Sequence, residues 1–78
     1  MKLEILTPEK ILFNDEVLSV QVPGKSGKFQ MLNNHTPIVS SLKKGTVKIL
    51  DKNNNNKTID ITSGVVEMKK NKVIILAQ

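Results

Sequence analysis

Apolar and polar residues alternate with a period of two along most of this 78-residue chain. Successive side chains of a β-strand point to opposite faces, so this period is typical of strands with one buried and one exposed face. β-Branched residues are frequent in the alternating runs, which favours a pleated sheet. The residues expected to form the core are Val20, Val22, Phe29, Met31, Val47, Ile49, Ile61, Val66 and Ile75.

Short turn sequences rich in Gly, Pro, Asn and Asp separate the runs, which is typical of all-β sandwiches and barrels. The asparagine tract at 53–56 is expected to be the mobile tip of a long hairpin loop. Strands are expected near residues 2–6, 10–13, 16–22, 27–32, 38–42, 45–51, 57–62, 64–69 and 72–77.

The segment from residue 9 to residue 18 has the least definite pattern. Pro8 could open a helical turn, whereas Asn14 and Asp15 favour a tight turn between two short strands. The alternation also places Leu18 on the same inward face as Val20 and Val22.

The length of the chain predicts a single domain, covering residues 1–78. The longest unbroken apolar run, Val73 to Ala77, is far shorter than the ~20 residues of a membrane-spanning helix. No export signal is apparent at the amino terminus. We therefore expect a protein of the cytoplasm that is stabilised by aliphatic packing or by a partner.

Residues for catalysis or metal binding are scarce. The chain contains no cysteine and only one histidine, His35, which cannot build a zinc site alone. The segment from Gly24 to Lys28 resembles a phosphate-binding loop only in part, because the spacing between its glycines is too short. We expect no catalytic residue, no metal site and no cofactor.

The net charge of +5 comes entirely from twelve lysines, since arginine is absent. Such a charge suggests a small basic β-barrel that binds nucleic acid. However, the chain has two phenylalanines and neither tyrosine nor tryptophan, so it lacks the usual platform for base stacking. Nucleic-acid binding therefore remains the alternative interpretation.

Four stretches of the chain, taken in order, resemble the β-sandwich part of the ε subunit of F-type ATP synthases (the δ subunit in mitochondria). The most specific runs from Pro23 to Pro37 and ends in a His-x-Pro sequence at His35. The others are Leu3 to Phe13, Leu42 to Ile49, and Thr62 to Glu67 followed by Val73 to Leu76. The resemblance covers essentially the whole chain.

This resemblance implies a flattened sandwich of two antiparallel sheets with about nine or ten short strands. It also implies a non-catalytic rotor subunit of the central stalk, which couples proton flow to ATP synthesis at the cytoplasmic face of the bacterial plasma membrane. The implied partners are the γ subunit, which forms the shaft, and the membrane ring of c subunits. The ring contact maps to Lys28, Asn33, Asn34, His35 and Thr36, and the γ contact to Thr7, Pro8, Ser40 and Thr46.

The chain departs from the family pattern in three respects. Lys28 stands where many relatives have an acidic residue, and Gln30 stands where glycine is common. The sequence ends at Gln78, before the two helices that continue most bacterial relatives. We therefore expect neither ATP binding nor inhibition of ATP hydrolysis by such helices.

Overall fold

The computed structural model describes residues 1–78, which form eight β-strands and no helix. The expected all-β sandwich is confirmed, with eight strands where nine or ten were expected. The strands are β1 (Lys2–Leu6), β2 (Ile11–Gly24), β3 (Gly27–Leu32), β4 (Ile38–Leu42), β5 (Gly45–Asp51), β6 (Asn56–Ile61), β7 (Gly64–Lys69) and β8 (Lys72–Ala77).

Strand β2 is continuous through the segment where a turn or a helical turn was expected. Asn14 and Asp15 lie opposite Glu4 and Leu3 in an antiparallel pair with β1. This pairing overrides the local preference of Asn and Asp for turns, because it satisfies the backbone along the whole segment. The predicted turn at Asn14–Asp15 is therefore wrong, and the two predicted short strands are one strand of 14 residues.

A β-bulge interrupts β2 at Leu18. Val17 lies opposite Asp51 and Ser19 lies opposite Leu50, so Leu18 is an extra residue without a partner on β5. An extra residue reverses the inward and outward alternation on one side of it. Val17 is consequently buried, and Leu18 is 47% exposed. The prediction that Leu18 faces inward is wrong for this reason.

The bulge is also where β2 passes from one layer of the sandwich to the other. Its first half pairs with β1, and its second half pairs with β3 and β5. One layer, which we call sheet 1, has the order β2(first half)-β1-β8-β7-β4, and the other, sheet 2, has the order β3-β2(second half)-β5-β6. The molecule measures 27 × 24 × 18 Å, which suits two layers about 10 Å apart.

One strand pair differs from the expected antiparallel arrangement. Strands β1 and β8 are parallel, with Leu3 opposite Val73 and Ile5 opposite Ile75. The first and last strands are far apart in sequence, so no hairpin constrains their relative direction.

The core lies between the two sheets and consists almost entirely of aliphatic and methionine side chains. Eight of the nine expected core residues are buried, and Phe29 is half-buried against the edge of the core. The buried hydrophobic residues are Met1, Leu3, Ile5, Val17, Val20, Val22, Met31, Leu42, Val47, Ile49, Ile61, Val66, Met68, Val73, Ile75 and Ala77.

Asp51 organises the asparagine-rich loop between β5 and β6. Its Oδ1 accepts hydrogen bonds from the backbone N–H groups of Asn53 and Asn55, both at 2.9 Å. The Lys57 ammonium lies 3.7 Å from Oδ2, and Asn54 takes a left-handed backbone conformation with φ of 67°. Asn53 and Asn55 thus donate backbone hydrogen bonds to the Asp51 carboxylate, and Asn54 adopts the positive φ that the turn requires.

The Asp51 carboxylate should make stability depend on pH. The hydrogen bond from Asn55 N–H, with smaller contributions from Asn53 and Lys57, lowers the pKa of Asp51 below its ordinary value. A lowered folded-state pKa means that the stabilisation is present above about pH 4 and is lost as the pH falls through the folded-state pKa. We expect Asp51→Asn to lower the melting temperature at neutral pH, and the difference from wild type to shrink in acid. Thermal unfolding monitored at several pH values would check this, and a pH-independent difference would contradict it.

Candidate interaction surfaces

Three asparagines hold together one end of the sandwich, which we call the asparagine end. Asn71 Nδ2 donates to Asn33 Oδ1 at 2.8 Å, and the Asn34 N–H donates to Asn71 Oδ1 at 2.8 Å. The amino group of Met1 also donates to Asn33 Oδ1, at 3.3 Å. Asn34 and Asn71 both have positive φ values, which asparagine tolerates better than most residues. The loop after β3 is therefore fastened to the β7–β8 turn.

His35 lies in the same loop and is half-buried. Its backbone N–H donates to the Leu32 carbonyl at 3.1 Å, and its Nδ1 lies 2.8 Å from the Thr36 carbonyl oxygen. A carbonyl can only accept, so Nδ1 is the donor in this contact. Asn33, Asn34 and Thr36 are exposed, as expected from the sequence.

Lys28 does not belong to this end of the molecule. It lies near the start of β3, whereas Asn33 follows the end of the same strand. Five residues of extended chain separate them by about 17 Å. The structure thus brings Asn33, Asn34, His35 and Thr36 together and places Lys28 at the opposite end.

The opposite end, which we call the lysine end, carries Lys25 on the β2–β3 turn, Lys28 at the start of β3, and Lys43 and Lys44 on the β4–β5 turn. The Lys25 N–H donates to the Ser41 carbonyl at 3.0 Å, and the Lys43 N–H donates to the Pro23 carbonyl at 2.9 Å. All four lysines are exposed, and none of them takes part in an ion pair.

Apolar side chains form a row across the outer face of sheet 1. Four neighbouring strands contribute one residue each, and the cross-strand partners are Ile11 with Leu6, Leu6 with Leu76, and Leu76 with Val65. Ile11 is 62% exposed, Leu76 is 56% exposed and Val65 is 43% exposed. We call Leu6, Ile11, Val65 and Leu76 the apolar row. Because contiguous exposed apolar side chains are typical of interaction sites, the apolar row is a candidate interaction surface.

An open recess of about 650 Å³ adjoins the apolar row at the lysine end. Its lining includes Leu6, Val65 and Leu76 from the apolar row, Thr7 and Pro8 from the β1–β2 loop, and Lys25. The recess is therefore apolar on one side and basic at its rim.

The four residues expected to contact γ lie on three different surfaces. Thr7 and Pro8 line the recess. Ser40 is half-buried on β4, and Thr46 lies on β5, where its hydroxyl donates to Asp60 Oδ1 at 2.7 Å. A flat contact with the outer face of sheet 1 can include Thr7 and Pro8 but not Thr46.

Sequence reasoning missed the apolar row, although one signal pointed to it. The run from Val73 to Ala77 is apolar at every position, and a strand that is apolar on both faces is typical of a sheet covered on both sides. Sheet 1 is covered on its inner side by sheet 2, and its outer side is open at Leu76.

The structure contains no group of three or more histidine, cysteine, aspartate or glutamate side chains that could hold a metal ion. It likewise contains no helix suited to crossing a membrane.

Comparison with known proteins identifies a family that accounts for the whole chain. The family model described as "ATP synthase, Delta/Epsilon chain, beta-sandwich domain" matches residues 1–78. The ATP synthase epsilon chain of Campylobacter curvus is 43% identical over 77 residues, which cover 99% of this chain and 60% of that protein. The ATP synthase epsilon chain of Chlorobium limicola is 38% identical over 77 residues, covering 99% of this chain and 88% of that protein. This chain thus spans 60% of the Campylobacter protein and most of the Chlorobium protein.

Two solved structures show the same fold at low sequence identity. A chain in the Euglena gracilis mitochondrial ATP synthase structure (OSCP/F1/c-ring) matches with a TM-score of 0.90 and 17% identity, covering 96% of this chain and 48% of that one. A chain in the Tetrahymena thermophila structure of the mitochondrial central stalk and c-ring matches with a TM-score of 0.85 and 20% identity, covering 100% of this chain and 63% of that one.

Proposed function

Because this chain belongs to the family of the ATP synthase delta/epsilon-chain β-sandwich domain, we propose that it is a non-catalytic subunit of the central stalk of an F-type ATP synthase. In this role it binds the γ shaft and the membrane ring, so that proton flow is coupled to ATP synthesis on other subunits. The complex would hold it at the cytoplasmic face of a bacterial plasma membrane. The match of the family over residues 1–78 is the observation that carries this proposal, and it displaces the nucleic-acid alternative.

The shaft contact is best supported at the apolar row. The row presents exposed aliphatic side chains on three strands and the half-buried Leu6 on a fourth, and burying such side chains contributes about 25 cal/mol for each Å² removed from water. Thr7 and Pro8 lie beside the row in the recess. Ser40 on β4 is the cross-strand partner of the buried Val66 and so faces the inner side of sheet 1. Ser40 and Thr46 would lie outside this contact.

A double substitution tests the shaft contact. Val65→Asp with Leu76→Asp would place two carboxylates in the apolar row, and we expect binding to purified γ subunit to weaken at least tenfold. The fold should persist, because both positions are exposed. Titration calorimetry with γ would measure the loss. The matched control, Gln30→Asp with Thr58→Asp on the outer face of sheet 2, should bind as wild type. Equal binding by both double variants would contradict the assignment.

The ring contact is proposed to involve one end of the sandwich and not both. Lys28 and the loop from Asn33 to Thr36 lie at opposite ends, about 17 Å apart along β3. At the asparagine end, Asn33 Oδ1 already accepts two internal hydrogen bonds. At the lysine end four ammonium groups have no ion-pair partner within the chain, and at the asparagine end those of Lys69 and Lys70 also have none. We therefore place the ring at the lysine end, with Lys28 as the contact residue.

Single cysteines can distinguish the two ends without background, because the chain has no cysteine of its own. We expect a cysteine at position 28 to cross-link to the c subunit in assembled complexes, and a cysteine at position 35 not to do so. Mass spectrometry of the products would identify the partner. Ring cross-links from position 35 alone would instead place the asparagine end, with Asn33, Asn34 and Thr36, against the ring.

A further inference from the structure

Two strand edges without a partner border one side of the sandwich, which we call the β2–β6 side. Strand β6 pairs only with β5, and residues 11–16 of β2 pair only with β1. The two edges lie close together, since the Lys57 ammonium is 5.7 Å from the centre of the Phe13 ring. Alternate N–H and C=O groups of such an edge point outward, where they can pair with a strand of another chain.

Each of the two edge strands directs one charged side chain inward. Lys57 on β6 lies opposite the buried Ile49, and Asp15 on β2 lies opposite the buried Leu3. Residues directly opposite each other in an antiparallel pair share a face of the sheet, so both charges occupy positions on the core side. The next residue of β6 on that face, Ile59, is apolar and packs against the core.

Both inward charges have partners that hold them at the border of the core. Lys57 Nζ lies 3.7 Å from Asp51 Oδ2, and its distance from the Phe13 ring suits a cation–π contact. Lys52 Nζ lies 3.2 Å from Asp15 Oδ1. The side chains of Lys57, Lys52 and Asp15 are each about half exposed, so their charged groups remain in contact with water.

Pairing of β6 with a strand of a second molecule would change the surroundings of Lys57. The incoming strand would extend sheet 2, and its inward side chains would cover the edge where the ammonium now meets water. Removing an ammonium from water is costly unless other groups replace the lost hydrogen bonds. Asp51 cannot replace them all, because its Oδ2 lies 3.7 Å from Nζ, beyond hydrogen-bond distance.

We propose that Lys57 keeps the edge of β6 from pairing with β6 of a second copy of this chain. A second copy is the partner that the geometry favours, because antiparallel pairing of a strand with itself about a twofold axis needs no other surface. The β-branched residues Thr58, Ile59 and Ile61 also favour strand pairing. An inward lysine opposes it, and this inference does not depend on the proposed function.

Lys57→Met tests the proposal, because methionine keeps an unbranched side chain beside Phe13 and removes the charge. We expect the variant to form dimers with a dissociation constant at least about tenfold below that of the wild-type chain. Sedimentation equilibrium would measure both constants. Hydrogen exchange should show additional protection of the β6 amides in the dimer. Lys57→Arg keeps an inward cation and should associate no more tightly than wild type.

The matched control is Lys48→Met on the outer face of β5. Lys48 is exposed and lies opposite Thr58, so this variant loses the same charge from the same sheet and leaves the inner face unchanged. It should associate no more tightly than wild type. Equal association by both methionine variants would attribute the effect to net charge and overturn the proposal.

Three further results would also overturn it: a Lys57→Met chain that stays monomeric, a dimer without added protection in β6, or a Lys57→Arg chain that dimerises as Lys57→Met does. If Lys57→Met does not fold, Lys57→Gln removes the same charge while keeping a polar side chain. The same association and exchange criteria then apply to Lys57→Gln, with Lys48→Gln as its control.

Discussion

Ile75→Ala should remove about half or more of the free energy that stabilises the folded protein. Ile75 has no exposed surface and lies in the centre of β8, between the parallel strand β1 and the antiparallel strand β7. Truncating a buried isoleucine costs about 2–5 kcal/mol, through lost burial and the cavity left behind. A domain of this size has a total stability of only about 5 kcal/mol. Urea unfolding followed by circular dichroism would measure the loss.

The next residue provides the matched control. Leu76 is 56% exposed on the outer face of the same strand, so Leu76→Ala removes a comparable side chain without opening a cavity. Its effect on the free energy of unfolding should stay within about 0.5 kcal/mol. Comparable losses for the two variants would contradict the assignment of inner and outer faces in β8.

Gly24→Ala should destabilise the β2–β3 hairpin. A Cβ atom at Gly24 would lie 2.5 Å from the Gly27 carbonyl oxygen and 2.8 Å from the ring of Phe29. The carbonyl belongs to the paired backbone, so the hairpin must open to relieve the contact. Overpacking of this kind costs about 1–3 kcal/mol, and the urea midpoint would report it.

Ser26→Ala is the control for that hairpin, because Ser26 is exposed in the same turn. Its unfolding midpoint should equal that of wild type. Phe29→Ala in the Gly24→Ala background separates the two contacts. The double variant should remain less stable than Phe29→Ala alone, because the contact with the Gly27 carbonyl persists. If Gly24→Ala costs no stability in the Phe29→Ala background, the Phe29 ring alone excludes the added methyl group at position 24.

The interaction surfaces were only partly predictable from the sequence. The exposed loop from Asn33 to Thr36 followed from its polar residues, and the resemblance to a family was carried by the residues around it. The sequence could not show that Lys28 faces the other end of the molecule, because that depends on the direction and length of β3. The apolar row was also missed, since it joins two pairs of consecutive strands from opposite ends of the chain through the β1–β8 pairing.

The sequence alone determined the strands and most of the core, because a period of two specifies which side chains share a face wherever a strand is regular. The tertiary structure decided three features that local pattern does not encode. Pairing with β1 kept Asn14 and Asp15 in a strand, and the bulge at Leu18 turned that strand from sheet 1 into sheet 2. The backbone bonds between two turns gathered Lys25, Lys28 and Lys43 at one end. Each depends on partners distant in sequence, and long-range pairing outweighs local propensity when it satisfies more backbone groups.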